Sequence, residues 1–262
     1  MTADVATGYA PVNGLNMYYE NHGEGDPLVL LHGGIHGIRH FEALIPVLEK
    51  GRQVIAVELQ GHGRTADVDR PLRYETMADD IAALIAHLGL ERADVLGYSL
   101  GAGTALQLAI RHPGAVRRLI VVSQPIRRQG WYPEVLEGMN QMGPAVGEAM
   151  NQSPLAEIYP DVDWPALCTK LGDLLRQEYD WTDGVAAIKA PTLLVFADAD
   201  AVRGAHIMEF WGVLGGGLRD AGLDGSGRPA AQLAIIPNAT HYNVCDSPAL
   251  ATTVVAFLDA SG

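Results

Sequence analysis

A doubly wound α/β sandwich, a mainly parallel sheet with helices on both faces, is predicted by three features of this sequence. Apolar runs of strand length alternate with segments of helical periodicity. Most of these runs are continuously apolar, as strands covered on both faces must be. Strand–helix–strand order then requires right-handed crossovers and hence parallel pairing.

Taken in order, "LNMYYE" follows an Asn13-Gly14 turn and makes the opening a hairpin, and "PLVLLHG" at Pro27 to Gly33 is the next strand. Phe41, Leu44, Ile45 and Leu48 recur on one helical face, and "RQVIAVELQ" follows as a buried strand. A helix at about 76 to 88 is expected, begun by Thr76 and Asp79 in capping-box spacing and striped by Ile81, Leu84, Ile85 and Leu88. "ADVLGYS", a helix after Ser99, "RRLIVVS", "PTLLVFAD", a helix near Glu209 to Leu214 and "QLAIIPN" continue the alternation. A last helix after Ser247-Pro248 turns Ala251, Val254, Val255 and Leu258 inward.

Residues 125–181 break the rhythm with helical segments and no strand, and are expected to form a helical cap inserted into a core of residues 1–124 and 182–262. Trp131, Trp164, Trp181, Met139, Met142 and Met150 give this stretch a soft apolar character suited to a lid. The Gly-rich loop at 212–229 carries no assignable role.

The 262 residues, 48% hydrophobic and 19% charged, are enough for one large core. A net charge of −13 with Lys+Arg of 18 argues against nucleic acid and anionic membranes as partners. The start of the chain lacks the pattern of a secretory signal and no apolar run reaches a membrane span, so a cytoplasmic location is expected. Cys168 and Cys245 are expected to be free, packed thiols.

In "VLGYSLGAG", Gly97 and Gly101 flank Ser99 at the junction of a strand and a helix, the GxSxG pattern of a sharp turn that exposes a serine hydroxyl. Serine needs a base, and the base needs a group to hold its tautomer. "DADAV" after one downstream strand and "ATHYN" after the next bring an aspartate and His241 to carboxyl ends of successive strands, where ligands meet such a sheet. Backbone donors should await a developing oxyanion, and the N–H of Leu100 is one. His62 reads as a turn or core residue. His32, His36 and His40 recur every four residues, but Gly33 and Gly34 interrupt a helix through them and no metal is expected.

Together with "LLHGG" and "LQGHGRT", these motifs resemble the α/β-hydrolase superfamily, in its lid-bearing, esterase-like members, over essentially the whole chain. The resemblance implies the α/β-hydrolase fold, the chain order Ser99, Asp200, His241 for nucleophile, acid and base, and Gly34 beside Leu100 as oxyanion donors, with Ile35 a rival to Gly34. Ala197 stands where the family's acid motif has glycine, which keeps Asp198 as a rival to Asp200. The alternative acid position before the lid reads Ser123-Gln124 and offers no carboxylate.

The expected activity is hydrolysis of carboxylic esters of small to medium apolar substrates through an acyl-enzyme. Lactonase, carbon–carbon hydrolase and perhydrolase chemistry on the same triad are the alternatives, and a ligand-binding receptor is the non-enzyme one. Serine at the elbow argues against the dehalogenases and epoxide hydrolases of this fold, which use aspartate there. Ile35, Trp131, Met139, Met142 and Tyr242 are the candidate substrate contacts. Arg127-Arg128 reads as a solvated charge pair, with a substrate carboxylate as its functional alternative. No cofactor is expected; a small-molecule ester or lactone is the expected partner, and a homodimer is left open.

Overall fold

The computed structural model describes residues 5–260. Eight strands form one sheet: β1 (Ala6–Val12), β2 (Leu15–His22), β3 (Asp26–Leu31), β4 (Arg52–Val57), β5 (Ala93–Tyr98), β6 (Val116–Val122), β7 (Thr192–Ala199) and β8 (Ala231–Thr240). Their order is β1-β2-β4-β3-β5-β6-β7-β8. β1 and β2 pair antiparallel about the Asn13-Gly14 turn, where Asn13 has φ 47° and Gly14 φ 85°, and β2 meets β4 antiparallel. Every other pairing is parallel.

Among the described residues ten α-helices accompany the sheet: α1 (Ile45–Leu48), α2 (Tyr74–His87), α3 (Leu100–Arg111), α4 (Pro133–Gln141), α5 (Pro144–Met150), α6 (Pro154–Ile158), α7 (Trp164–Leu175), α8 (Thr182–Ala186), α9 (Gly204–Val213) and α10 (Pro248–Asp259). Because strand side chains alternate faces, the core splits into two layers. Val29, Leu31, Val95 and Val121 meet α2, α3 and α9 on one side. Leu28, Leu30, Leu96 and Ile120 meet α1 and α10 on the other. Between β6 and β7 the chain runs through α4 to α8 without a strand in the sheet.

Two local expectations fail for identifiable reasons. Phe41, Leu44, Ile45 and Leu48 are all buried, but not on one continuous helix: a 3₁₀ turn at Ile38–Phe41 and the short α1 share them. Pro46 has no N–H to continue a helix through this point and is tolerated only in the first turn of α1. Thr76 does not cap α2, which starts at Tyr74 after Arg73; the Thr76 hydroxyl instead donates to the Arg73 carbonyl at 3.1 Å. Asp79 is drawn out of any capping role by Arg111 and His112. In α10, Ala251, Val254 and Leu258 are buried while Val255 is half-buried. Cys168 and Cys245 are free and buried. Among the described residues no helix is long and apolar enough to cross a membrane.

Candidate active site

Ser99 stands between β5 and α3 with φ 50° and ψ −113°, a strained conformation for any residue but glycine. Its neighbours make the turn sterically feasible. A Cβ on Gly97 would lie 2.2 Å from the Gly101 carbonyl oxygen, and one on Gly101 would lie 2.1 Å from that of Leu31. The Ser99 N–H donates to Val122 O at 2.9 Å, locking the turn to β6. Ile35 (φ 57°) and Ser123 (φ 56°) are strained in the same sense. All three lie at the carboxyl edge of the sheet, and strain gathered there is held in place by the surrounding packing.

His241 follows β8 and brings its imidazole back across the edge. Nδ1 donates to Asp200 Oδ1 at 3.3 Å, which leaves Nε2 to accept from the Ser99 hydroxyl at 3.2 Å. Asp200 also accepts from the Ser123 hydroxyl at 2.6 Å, from Ala197 N at 2.9 Å and from Val202 N at 3.2 Å. Its side chain is 1% exposed. Burial alone would raise its pKa, but the His241 interaction and the Ser123 and Ala197 donors outweigh it and hold the carboxyl below the usual range.

Asp198 takes no part in this line: it is exposed and accepts from Asn238 N and Ala239 N. The two candidates separate because β7 carries Asp198 outward and the turn beyond it swings Asp200 inward.

Ser123, which the sequence marks only as an alternative acid position without a carboxylate, and Tyr98, inside the elbow motif, both have a place in the site that the sequence does not assign them. The Tyr98 hydroxyl donates to the His241 carbonyl oxygen at 2.6 Å, and its ring stacks on His40 at 4.7 Å. Gly33 lets the chain pass the same ring, since a Cβ there would lie 2.7 Å from it. The signal for Ser123 was its place at the end of β6, the position where a carboxylate was sought.

The "LLHGG" and "LQGHGRT" loops around the site are scaffolding by their contacts. His32 is fully buried; its Nδ1 donates to Gly33 O at 2.7 Å while Nε2 accepts from Leu59 N at 3.1 Å, and burial keeps it neutral with a pKa well below the usual value. Just before "LQGHGRT", buried Glu58 accepts from the Arg64 backbone and guanidinium, and Thr65 donates to Glu58 O. His62 is buried beside His32, with ring centroids 5.0 Å apart. Among the described residues no group of three His, Cys, Asp or Glu side chains is placed to hold a metal ion.

A cavity of about 420 Å³ opens above Ser99. Gly34, Ile35 and Leu100 lie in its wall with Ser99. Trp131, Met139, Met142 and Tyr242 line it too, together with Tyr74, Gln124 and Leu171, none of which the sequence marks as a substrate contact. Trp131 stands edge-on to His241, with ring centroids 5.5 Å apart. Arg127 and Arg128 do not line it. Arg127 pairs with Glu209 at 2.5 Å, and Arg128 reaches Glu178 and Asn140, so neither is free to meet a substrate carboxylate. The arrangement can deprotonate a serine hydroxyl against a largely apolar chamber.

A family model described as "alpha/beta hydrolase fold" matches residues 26–156, half of the chain. The chain is 34% identical over 125 residues to a soluble epoxide hydrolase of Corynebacterium sp. (strain C12), covering 47% of this chain and 43% of that one. It is 34% identical over 113 residues to a 2-hydroxymuconate semialdehyde hydrolase of Pseudomonas sp. (strain CF600), covering 42% and 40%. The chain thus spans less than half the length of these curated relatives. Among solved structures, an enol-lactonase from Burkholderia xenovorans LB400 superposes with a TM-score of 0.74 at 22% identity, covering 96% of this chain and all of that one. The chain belongs to the α/β-hydrolase fold family.

Proposed function

We propose that this member of the α/β-hydrolase family is a serine hydrolase cleaving carboxylic esters of small to medium apolar substrates. The observation that carries the reading is the unbroken hydrogen-bonded line from Ser99 Oγ through His241 to Asp200. Ser99 attacks the ester carbonyl while His241 Nε2 takes its proton. The imidazolium is stabilised by Asp200, whose ionised state the surrounding donors favour. His241 returns the proton to the departing alcohol, leaving an acyl-serine. Water, deprotonated by the same nitrogen, attacks the acyl-serine, and a carboxylic acid leaves. The N–H groups of Gly34 and Leu100 receive the carbonyl oxygen as it gains charge; losing one such donor costs about 3 kcal/mol.

A chamber of about 420 Å³ suits a substrate of moderate size. Helices α4 to α7 serve as its cap, with the cap's apolar side chains accepting the acyl or alkyl group. Serine at the elbow is the reason for preferring ester chemistry to the epoxide opening named for one relative.

The test is a rapid-mixing assay with p-nitrophenyl butyrate together with fluorophosphonate labelling. A burst of p-nitrophenol and a label on Ser99, both lost in Ser99→Ala, are expected. Absence of both would leave a binding protein on a hydrolase scaffold. Turnover of a lactone or a 1,3-diketone with every ester untouched would overturn the bond type while retaining the nucleophile.

A further inference from the structure

Helix α4 lays one face on the cavity: Glu134, Val135, Gly138, Met139 and, just past its end, Met142 recur at helical spacing along the wall. Among the described residues that line the cavity, Glu134 is the only Asp, Glu, Lys or Arg. It is exposed, and its carboxylate has no hydrogen-bond or ion-pair partner among the described residues. Of the cations on the surrounding elements, Arg127 pairs with Glu209, Arg128 with Glu178, Lys170 with Asp67 and Arg176 with Asp173, while Arg203 donates to the Gln129 carbonyl and Arg73 to that of Leu72. Among the described residues the chamber wall therefore presents one carboxylate and no Lys or Arg side chain. Its mouth also holds the exposed ring of Tyr242, and Trp131 lies deeper against His241. Aromatic faces attract cations, and the chain's net charge of −13 adds a field of the same sign.

Resting on the serine-hydrolase reading, we propose that Glu134 makes this site select esters carrying a positively charged group, a quaternary or protonated amine, over neutral esters of the same shape. The tert-butyl and trimethylammonium groups have nearly the same volume, so apolar packing cannot tell them apart. A carboxylate at the cavity wall can. The selection acts on binding, since the substrate's cationic group takes no part in the bonds that change, and so it belongs in KM and not in kcat.

Butyrylcholine and 3,3-dimethylbutyl butyrate are the matched probes. The expected result is a kcat/KM ratio of roughly five in favour of the cation, the upper range for one exposed charge pair, falling towards one at ~0.5 M salt. Glu134→Gln should bring the ratio to about one and Glu134→Lys should reverse it, whereas Glu137→Gln, on the outer face of the same helix, should keep the wild-type ratio. A wild-type ratio of one, or a ratio unmoved by Glu134→Gln, overturns the proposal and leaves Glu134 as a first-turn complement to the helix dipole. Calorimetric binding of the same two esters to Ser99→Ala reads the preference without turnover. A protein that binds the cation better yet cleaves neither ester refutes the hydrolase reading alone; one that cleaves both equally refutes the charge selection alone.

Discussion

On the sheet side of the cavity, Ser99, His241 and Asp200 are set by backbone geometry: a positive-φ turn, a hydrogen bond from Ser99 to β6, and four donors around one carboxylate. On the helical side, α4 and α6 contain no buried residue, and Met139 and Met142 are half-buried. Proton transfer tolerates errors of well under an ångström, so the sheet side is over-determined. Accommodating an apolar group needs only a surface of the right size, and thioethers adapt to it at little cost. Within the helical side α7 is the exception. Trp164, Leu167, Cys168, Leu171 and Leu174 are buried along it, and Asp163 caps it by accepting from Ala166 N, so α7 anchors the segment that α4 leaves loose.

The comparison breaks most readily at the triad. Ser99→Ala and His241→Ala should each lower ester turnover by about 10⁶-fold, and the double variant by no more, because the two act as one unit. Losses that multiply in steady-state kinetics would mean that the residues serve separate steps.

Next in size, Asp200→Asn should cost about 10⁴-fold in kcat, since the amide favours the wrong tautomer of His241. Asp198→Asn should stay within roughly three-fold, because Asp198 only accepts two backbone N–H bonds at the surface. The reverse order would reassign the acid.

A third effect is on stability. Burial pushes the His62 pKa from 6.5 down to about 4, so protons bind more readily to the unfolded chain than to the fold. Stability from this group is complete above pH 6.5 and is lost as pH falls towards 4. The contribution of this group lost by pH 5 is about 2 kcal/mol, read from urea unfolding as the amount by which the wild type loses more stability between pH 7 and 5 than His62→Gln does. An equal loss in the two proteins would show that His62 binds protons alike in the folded and unfolded chain.

The smallest effect belongs to the helical side. Met139→Ala should leave kcat on a short ester within roughly three-fold while moving the preferred acyl chain one or two carbons longer, read from a series of p-nitrophenyl esters. A large kcat loss would mean that α4 takes part in positioning the chemistry.

How much was legible beforehand follows from the range of each interaction. The strands could be read because a buried parallel strand leaves a continuous apolar run, and β3 to β8 begin and end close to those runs. Helix starts were less legible. Thr76 and Asp79 had capping spacing, but Arg111 and His112, more than thirty residues away, claimed the carboxylate. Ser123 could not be read as a partner of Asp200 because the two are 77 residues apart and nothing near either one encodes the other.

The elbow at Ser99 was written locally in one respect, since Gly97 relieves a clash with the Gly101 carbonyl four residues on, whereas the need for glycine at 101 is tertiary, a Cβ there meeting the Leu31 carbonyl beside β3. The sequence by itself also determined the alternation of strand and helix, which is set by which faces are apolar. Long-range packing settles that Asp200 and not Asp198 meets His241, that Ser123 and Tyr98 hydrogen-bond that pair, and that among the described residues Glu134 is the one Asp, Glu, Lys or Arg at the chamber wall. The physical reason is distance along the chain: turns and strands are decided by neighbours, whereas the site joins residues 41 and 142 positions apart, whose meeting depends on strand order and register across the whole sheet.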